Sequence, residues 1–192
     1  MKPYSKLIMI TAILLFSYGV YAQSYKLDNK ASSVLVDGTS NIHDWTINAE
    51  NIGGVLTVNF DDGKLKEIEK LEFTVVAESL KSGKSAMDKN TYKALNTDKY
   101  KNITYTLEKV NSIEKVSGNN YKVKTTGCLT IAGVKNNINL NFDLNSNSSH
   151  LVLTGQYKIN MTDYGVEAPT AMFGTIKTGE NVVVKFVSHF NK

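Results

Sequence analysis

His43-Asp44 sets an imidazole beside a carboxylate, the residue types that acid–base chemistry uses. Neighbouring residues on a strand point to opposite faces, and no serine sits in a nucleophile-elbow pattern. The pair therefore reads as packing, with Trp45, near one end of the fold. The three histidines, His43, His150 and His189, have separations that match no zinc motif and have no close His or Cys partner in the sequence. The single cysteine, Cys128, cannot form an intramolecular disulfide. No base lies near it in sequence, so it reads as an unpaired strand residue rather than a nucleophile. Asp61-Asp62-Gly63 opens like a calcium loop, but the remaining ligand positions are missing, and it reads as a turn. No catalytic residue, metal site or cofactor is expected. What remains for function is apolar.

The apolar signal is clearest in residues 121–144, YKVKTTGCLTIAGVKNNINLNFDL. Tyr121, Val123, Thr125, Gly127, Leu129 and Ile131 share one parity. Lys122, Lys124, Thr126, Cys128 and Thr130 take the other. Ile138, Leu140, Phe142 and Leu144 then alternate with Asn137, Asn139, Asn141 and Asp143. Alternation over this length predicts two half-buried strands. With Ala132-Gly133 as the loop, Ile131 faces Val134, Leu129 faces Asn136 and Gly127 faces Ile138. Both apolar sets then fall on one side of a hairpin.

The same pattern recurs along the chain. A first strand over Ser24–Gly38 is broken by Asn29-Lys30. Strands follow over Trp45–Asn51 and Val55–Phe60, with a kink or bulge expected at Asn51–Gly54. Leu65–Leu80 is extended, with Leu71, Phe73, Val75 and Ala77 on one parity. Ser82–Lys99 has helix-like spacing of Met87, Tyr92 and Leu95, and predicts one or two short helices. Ile103–Val116 is strand. Leu151–Met161 carries Leu151, Leu153, Gly155, Tyr157, Ile159 and Met161 on one parity. Thr162–Lys177 reads as a loop, and Gly179–Asn191 as a last strand with Val182, Val184, Phe186, Ser188 and Phe190 on one parity. About eight long one-sided antiparallel strands, with little helix to cover them, predict an all-β sandwich or closed barrel. Eight strands leave room for packed side chains or for one ligand, and periodicity does not separate the two.

The 192 residues suit one domain, 42% hydrophobic and 21% charged, with net charge +4. Every basic side chain other than histidine is lysine, interspersed with acids and Asn, so nucleic acid is not an expected partner. Lys2 and Lys6 precede an apolar run, Leu7–Phe16, and Val20-Tyr21-Ala22 offers small residues where a signal peptidase reads. Residues 1–22 are expected to be a cleaved signal peptide and 23–192 the mature domain, periplasmic or secreted. The run is short for an uncleaved membrane anchor.

These pieces together resemble the YceI-like family of lipocalin-like periplasmic proteins. The resemblance rests on Ser33-Val34 with GTSNIHDW (38–45), NIGGVLTVNF (51–60), SAMDKNTYKALNTDKYKNITYTL (85–107), GCLTIAGVKNNINLNFDL (127–144) and MTDYGVEAPTAMFGTIKTGENVVVKF (161–186). It implies an extended eight-stranded antiparallel barrel with a hydrophobic tunnel that holds a long-chain isoprenoid or other amphiphile, without catalysis. Parity and family position together name Phe73, Val75, Tyr105, Leu107, Leu129, Ile131, Leu140, Phe142, Leu153, Tyr157, Ile159, Val184 and Phe186 as lipid-binding lining. Met172 and Phe173 are expected at or plugging an end, and Trp45 is a further candidate. Gly127, on the inward parity, is expected to leave space in the interior. A homodimer and transient membrane contact are the remaining partner expectations. The alternatives are a structural or stress-response barrel with a filled interior, and a lipid-modifying enzyme using His43 or His189.

Overall fold

The computed structural model describes residues 22–147 and 149–192. Its strands are β1 (Gln23–Leu27), β2 (Ser33–Ser40), β3 (Trp45–Ala49), β4 (Ile52–Asp61), β5 (Lys64–Val76) and β6 (Leu80–Lys81). After the helix α1 (Ser85–Leu95) come β7 (Asn102–Ser117), β8 (Asn120–Ile131), β9 (Val134–Ser146), β10 (His150–Asn160), β11 (Thr170–Ala171) and β12 (Ile176–Asn191). The leader expected over residues 1–22 lies, but for Ala22, outside the described residues.

All strand pairings are antiparallel, and the order β1-β4-β5-β7-β8-β9-β10-β12 closes on itself where β12 pairs β1. The remaining long-stave segments extend this ring. β1 and β2 lie end to end along β12; β3 and β4 lie end to end against them; β5 and β6 form the next stave. The barrel thus has eight staves in up-and-down order, the closed one of the two architectures that the alternation leaves open and the one that the resemblance implies.

Three neighbouring staves break at similar heights, and polar side chains repair the breaks. Between β1 and β2, Asn29 Nδ2 donates to Glu50 O (3.0 Å) while its Oδ1 accepts from Ile52 N (2.7 Å). Ser79, in the 3-10 turn Ala77–Ser79, accepts at Oγ from Asn51 N (3.0 Å) and donates to Val76 O (2.7 Å). These bonds replace ladder partners that the breaks remove. The kink expected at Asn51–Gly54 lies at Glu50–Asn51 instead, and both glycines continue β4. At Gly54 a Cβ would stand 2.6 Å from Glu72 O, so the glycine serves close approach of β5 rather than a bend.

The β8–β9 hairpin has the register that its parity predicts: Ile131↔Val134, Leu129↔Asn136 and Gly127↔Ile138. Ala132 and Gly133 both have positive φ, 47° and 80°, the geometry of a two-residue turn matching strand twist. The region expected to be loop over Thr162–Lys177 is partly ordered. Met161–Tyr164 is a 3-10 turn, and β11 folds back on the start of β12.

The interior has two unlike halves. At one end Tyr25, Leu56, Val58, Val123, Leu144, Leu151 and Phe190 are fully buried against one another's cluster. At the other end, beside α1, inward side chains surround a cavity. Gly127 belongs to this contrast, but not as expected. A Cβ there would lie 2.5 Å from Tyr105 Oη and 2.6 Å from Thr106 O. The space it leaves is taken by Tyr105, whose hydroxyl lies 3.0 Å from Thr125 Oγ1. Gly127→Ala is expected to cost about 2 kcal/mol through overpacking. Adding Tyr105→Leu should recover only part, because the Thr106 carbonyl is backbone; urea midpoints of the single and double variants check this.

Candidate functional site

The cavity has a volume of about 540 Å³, and every stave contributes wall. That size is within the roughly 300–1,000 Å³ of small-molecule sites. Inward positions of each strand supply the lining because successive residues alternate faces. Val34 and Val36 come from β2, Ile47 and Ala49 from β3, and Leu71, Phe73 and Val75 from β5. Leu129 and Ile131 come from β8, Ile138, Leu140 and Phe142 from β9, Leu153, Tyr157 and Ile159 from β10, and Val182, Val184 and Phe186 from β12. α1 forms one side with Ala86, Met87, Asn90, Thr91, Ala94 and Leu95, three- and four-residue spacings that place them on one helical face.

The mouth is built from the 40–45 loop, the start of α1 and the hairpin ending in β12. Ile42, His43, Lys84 and Met172 line it and are solvent-exposed. Asn41 ties two of these parts together, donating from Nδ2 to Thr175 O (2.9 Å) and accepting at Oδ1 from Lys177 N (2.9 Å). Trp45 lies over Gly38, where a Cβ would meet its ring at 2.1 Å, and its indole N–H donates to Thr39 O (3.0 Å).

α1 is held by polar contacts away from the cavity. Lys81 Nζ donates to Tyr92 Oη (2.6 Å), and the Tyr92 hydroxyl lies within donating distance of Glu78 O and Leu80 O. Asp88 Oδ1 accepts from Ser82 Oγ (2.6 Å) and Ser82 N (2.8 Å). Those bonds favour the carboxylate and hold Asp88 below the usual aspartate range. A depressed pKa contributes stability that is present above the unfolded value and lost as pH falls through the folded one. The wild type should therefore lose stability below about pH 4 more steeply than Asp88→Asn, as read from urea midpoints at neutral pH and at pH 3.

Among the described residues the wall holds no carboxylate. Its ionisable side chains are His43, Lys84, Tyr105, Tyr157 and Tyr164. Burial, with Tyr157 nearby, pushes the Tyr164 phenol up to about 12, and burial also raises Tyr105. These phenols stay neutral at ordinary pH. His43 Nδ1 faces Asp44 O at 2.9 Å; a carbonyl only accepts, so this nitrogen carries the proton. No group of three or more His, Cys, Asp or Glu among the described residues could hold a metal. No described helix is long and apolar enough to cross a membrane. The arrangement suits enclosure of an apolar chain.

A YceI-like domain model matches residues 25–190. The chain belongs to the YceI-like family. Its fold is similar to that of Burkholderia cenocepacia BcnA, with 18% identity, 85% of this chain and 98% of that one covered, and a TM-score of 0.66. A polyisoprenoid binding domain from Saccharophagus degradans, implicated in plant cell wall breakdown, is 16% identical over 87% of this chain and 97% of its own, with a TM-score of 0.68. The Campylobacter jejuni YceI protein is 22% identical over 76% and 84%, with a TM-score of 0.59. No curated protein matches the chain significantly.

In this YceI-like barrel most of the lining expected from parity and family position together faces the cavity: Phe73, Val75, Tyr105, Leu129, Ile131, Leu140, Phe142, Leu153, Tyr157, Ile159, Val184 and Phe186. Met172 and Trp45 also contribute. Leu107 and Phe173 do not. Leu107 packs against the core cluster outside the cavity, opposite Gly127, where the β7–β8 register shifts before Lys109. Phe173 is fully exposed at a turn where Met172, Phe173 and Gly174 all have positive φ, which turns its ring outward rather than into a plug. His189 takes the other parity of β12 from the wall residues. The helical face of α1 and the Tyr164 and Val166 segment were not legible as wall, because their spacing carries no strand parity, whereas Met161 shares the parity read for Leu151–Met161. Ile138, Leu71 and Val182 were legible, each sharing a parity already recognised.

Proposed function

We propose that this chain is an exported carrier or store that encloses a long-chain isoprenoid or similar amphiphile in the barrel cavity, without catalysis. The single observation that carries this reading is the open, almost wholly apolar cavity of about 540 Å³ at one end of an otherwise packed barrel. Burial of a hydrocarbon chain is favourable by about 0.8 kcal/mol per methylene. Such a wall holds a chain with few polar contacts, and Met87, Met161 and Met172 add side chains that adapt to its shape. The binding named for the Saccharophagus degradans domain, on the same fold, supports the ligand class. The leader-like residues preceding Gln23 support export.

Solvent extraction of the purified protein, followed by mass spectrometry, is expected to yield a long-chain amphiphile, and stripped protein is expected to take up added isoprenoid alcohol. Repeated extraction without any amphiphile, together with no uptake, would sink the reading. A filled, purely structural barrel is disfavoured by the cavity itself, although the opposite end is packed in that way.

A further inference from the structure

Ser188 sits where the hollow and packed halves of the barrel meet. On the inward face of β12 it follows Phe186, a wall residue, and precedes Phe190, which is buried in the packed end. Ser188 is itself 1% exposed and lines the cavity, yet its Oγ has no hydrogen-bond partner among the described residues. Thr125, the other fully buried serine or threonine among the described residues, is treated differently. Its Oγ1 donates to Leu140 O at 2.7 Å, so the Tyr105 hydroxyl 3.0 Å away must donate to it. Asn59 Oδ1 also lacks a partner, but Asn59 does not line the cavity and its Nδ2 donates to Glu67 and Glu69. A buried hydroxyl without a partner is costly, and alanine would remove that cost at almost the same volume.

We propose that Ser188 is a polar subsite at the closed end of the cavity, which takes a neutral oxygen of the ligand, a hydroxyl or a carbonyl. The inference rests on the binding reading above and adds an orientation to it: the amphiphile enters oxygen first. One hydroxyl can donate or accept, so alcohols and carbonyls both fit. A charged head group does not, because Lys84, the cationic side chain of the wall, belongs to the mouth, as does the His43 imidazole. An ionised group at the closed end would be desolvated and unpaired.

Stripped protein loaded with the neutral fluorophore N-phenyl-1-naphthylamine is titrated with 1-dodecanol and with dodecane. The ratio of the two affinities is compared between wild type, S188A and S188T. Comparing ratios cancels the different solubilities of the probes. The ratio is expected to fall by about three- to tenfold in S188A, the size of one hydrogen bond, and to return in S188T. Thermal unfolding of S188A is expected at or above the wild-type temperature, since no intramolecular bond is lost. An unchanged ratio in S188A would place the oxygen at the mouth and overturn the inference, as would a clearly lower unfolding temperature. If neither probe displaces the fluorophore in any form, the binding reading itself fails, which is a distinct result.

Discussion

Replacing Val184 by tryptophan is expected to lower affinity for a long-chain ligand about a hundredfold while the barrel still folds. Val184 is on β12, paired with Tyr157 on one side and Val36 on the other, and all three line the cavity. An indole at this point occupies space that would otherwise hold about three or four methylenes. At about 0.8 kcal/mol each, the loss is roughly 3 kcal/mol, or about two powers of ten. The added ring points into cavity space rather than into the packed end, so overpacking is small. Titration of stripped wild-type and V184W proteins with the same isoprenoid alcohol measures the effect, and circular dichroism reports the fold. Equal affinities would mean that the ligand sits elsewhere than in this cavity.

Phe190→Ala should act at the other end and on a different property. Its side chain is fully buried. In register it stands opposite Leu151 on β10 and Leu27 on β1. It also approaches Gly54, where a Cβ would lie 3.4 Å from its ring. The β1–β12 seam that closes the barrel has just two residue pairs, Lys26↔Asn191 and Leu27↔Phe190. Removing the ring leaves a void at that seam. The expected loss is about 3–5 kcal/mol of unfolding free energy, measured by urea denaturation. Affinity for the ligand, measured well below the unfolding midpoint, should change much less than in V184W. A loss below about 1 kcal/mol would show that the closed end relaxes to fill the void.

The contrast between these two residues shows how far the sequence can be read. Val184 and Phe190 share one parity on one strand, and nothing in their spacing distinguishes wall from core. Alternation reports which face a side chain takes, because that is a property of the extended backbone itself. It is silent on what stands across the barrel. The same limit explains Gly127. Its inward parity was legible, but the group that fills its space, Tyr105, comes from a strand whose register was not. The β7–β8 pairing shifts three times, between Leu107 and Lys109, Val110 and Ser112, and Lys115 and Ser117. Each shift re-aims the residues beyond it. Leu107 lies ahead of the first shift, in register with Tyr105, and packs against the core cluster rather than lining the cavity. Phe173 shows a further case. The resemblance places it at or plugging an end; it follows the mouth residue Met172, and positive φ at three successive residues turns it outward.

The sequence by itself determined the strands, their inward faces and the register of the 121–144 hairpin. Period-two alternation and a two-residue turn are local, and they leave little freedom. Only the tertiary structure decided which half of the inward face is hollow. Tyr25, Leu56, Leu144, Leu151 and Phe190 converge and fill one end, while α1 stands beside the other and leaves an open mouth. Hollowness depends on the summed volumes of side chains arriving from eight staves at one height. No single strand carries that sum, so the cavity and the unpartnered hydroxyl at its floor emerge only when the ring closes.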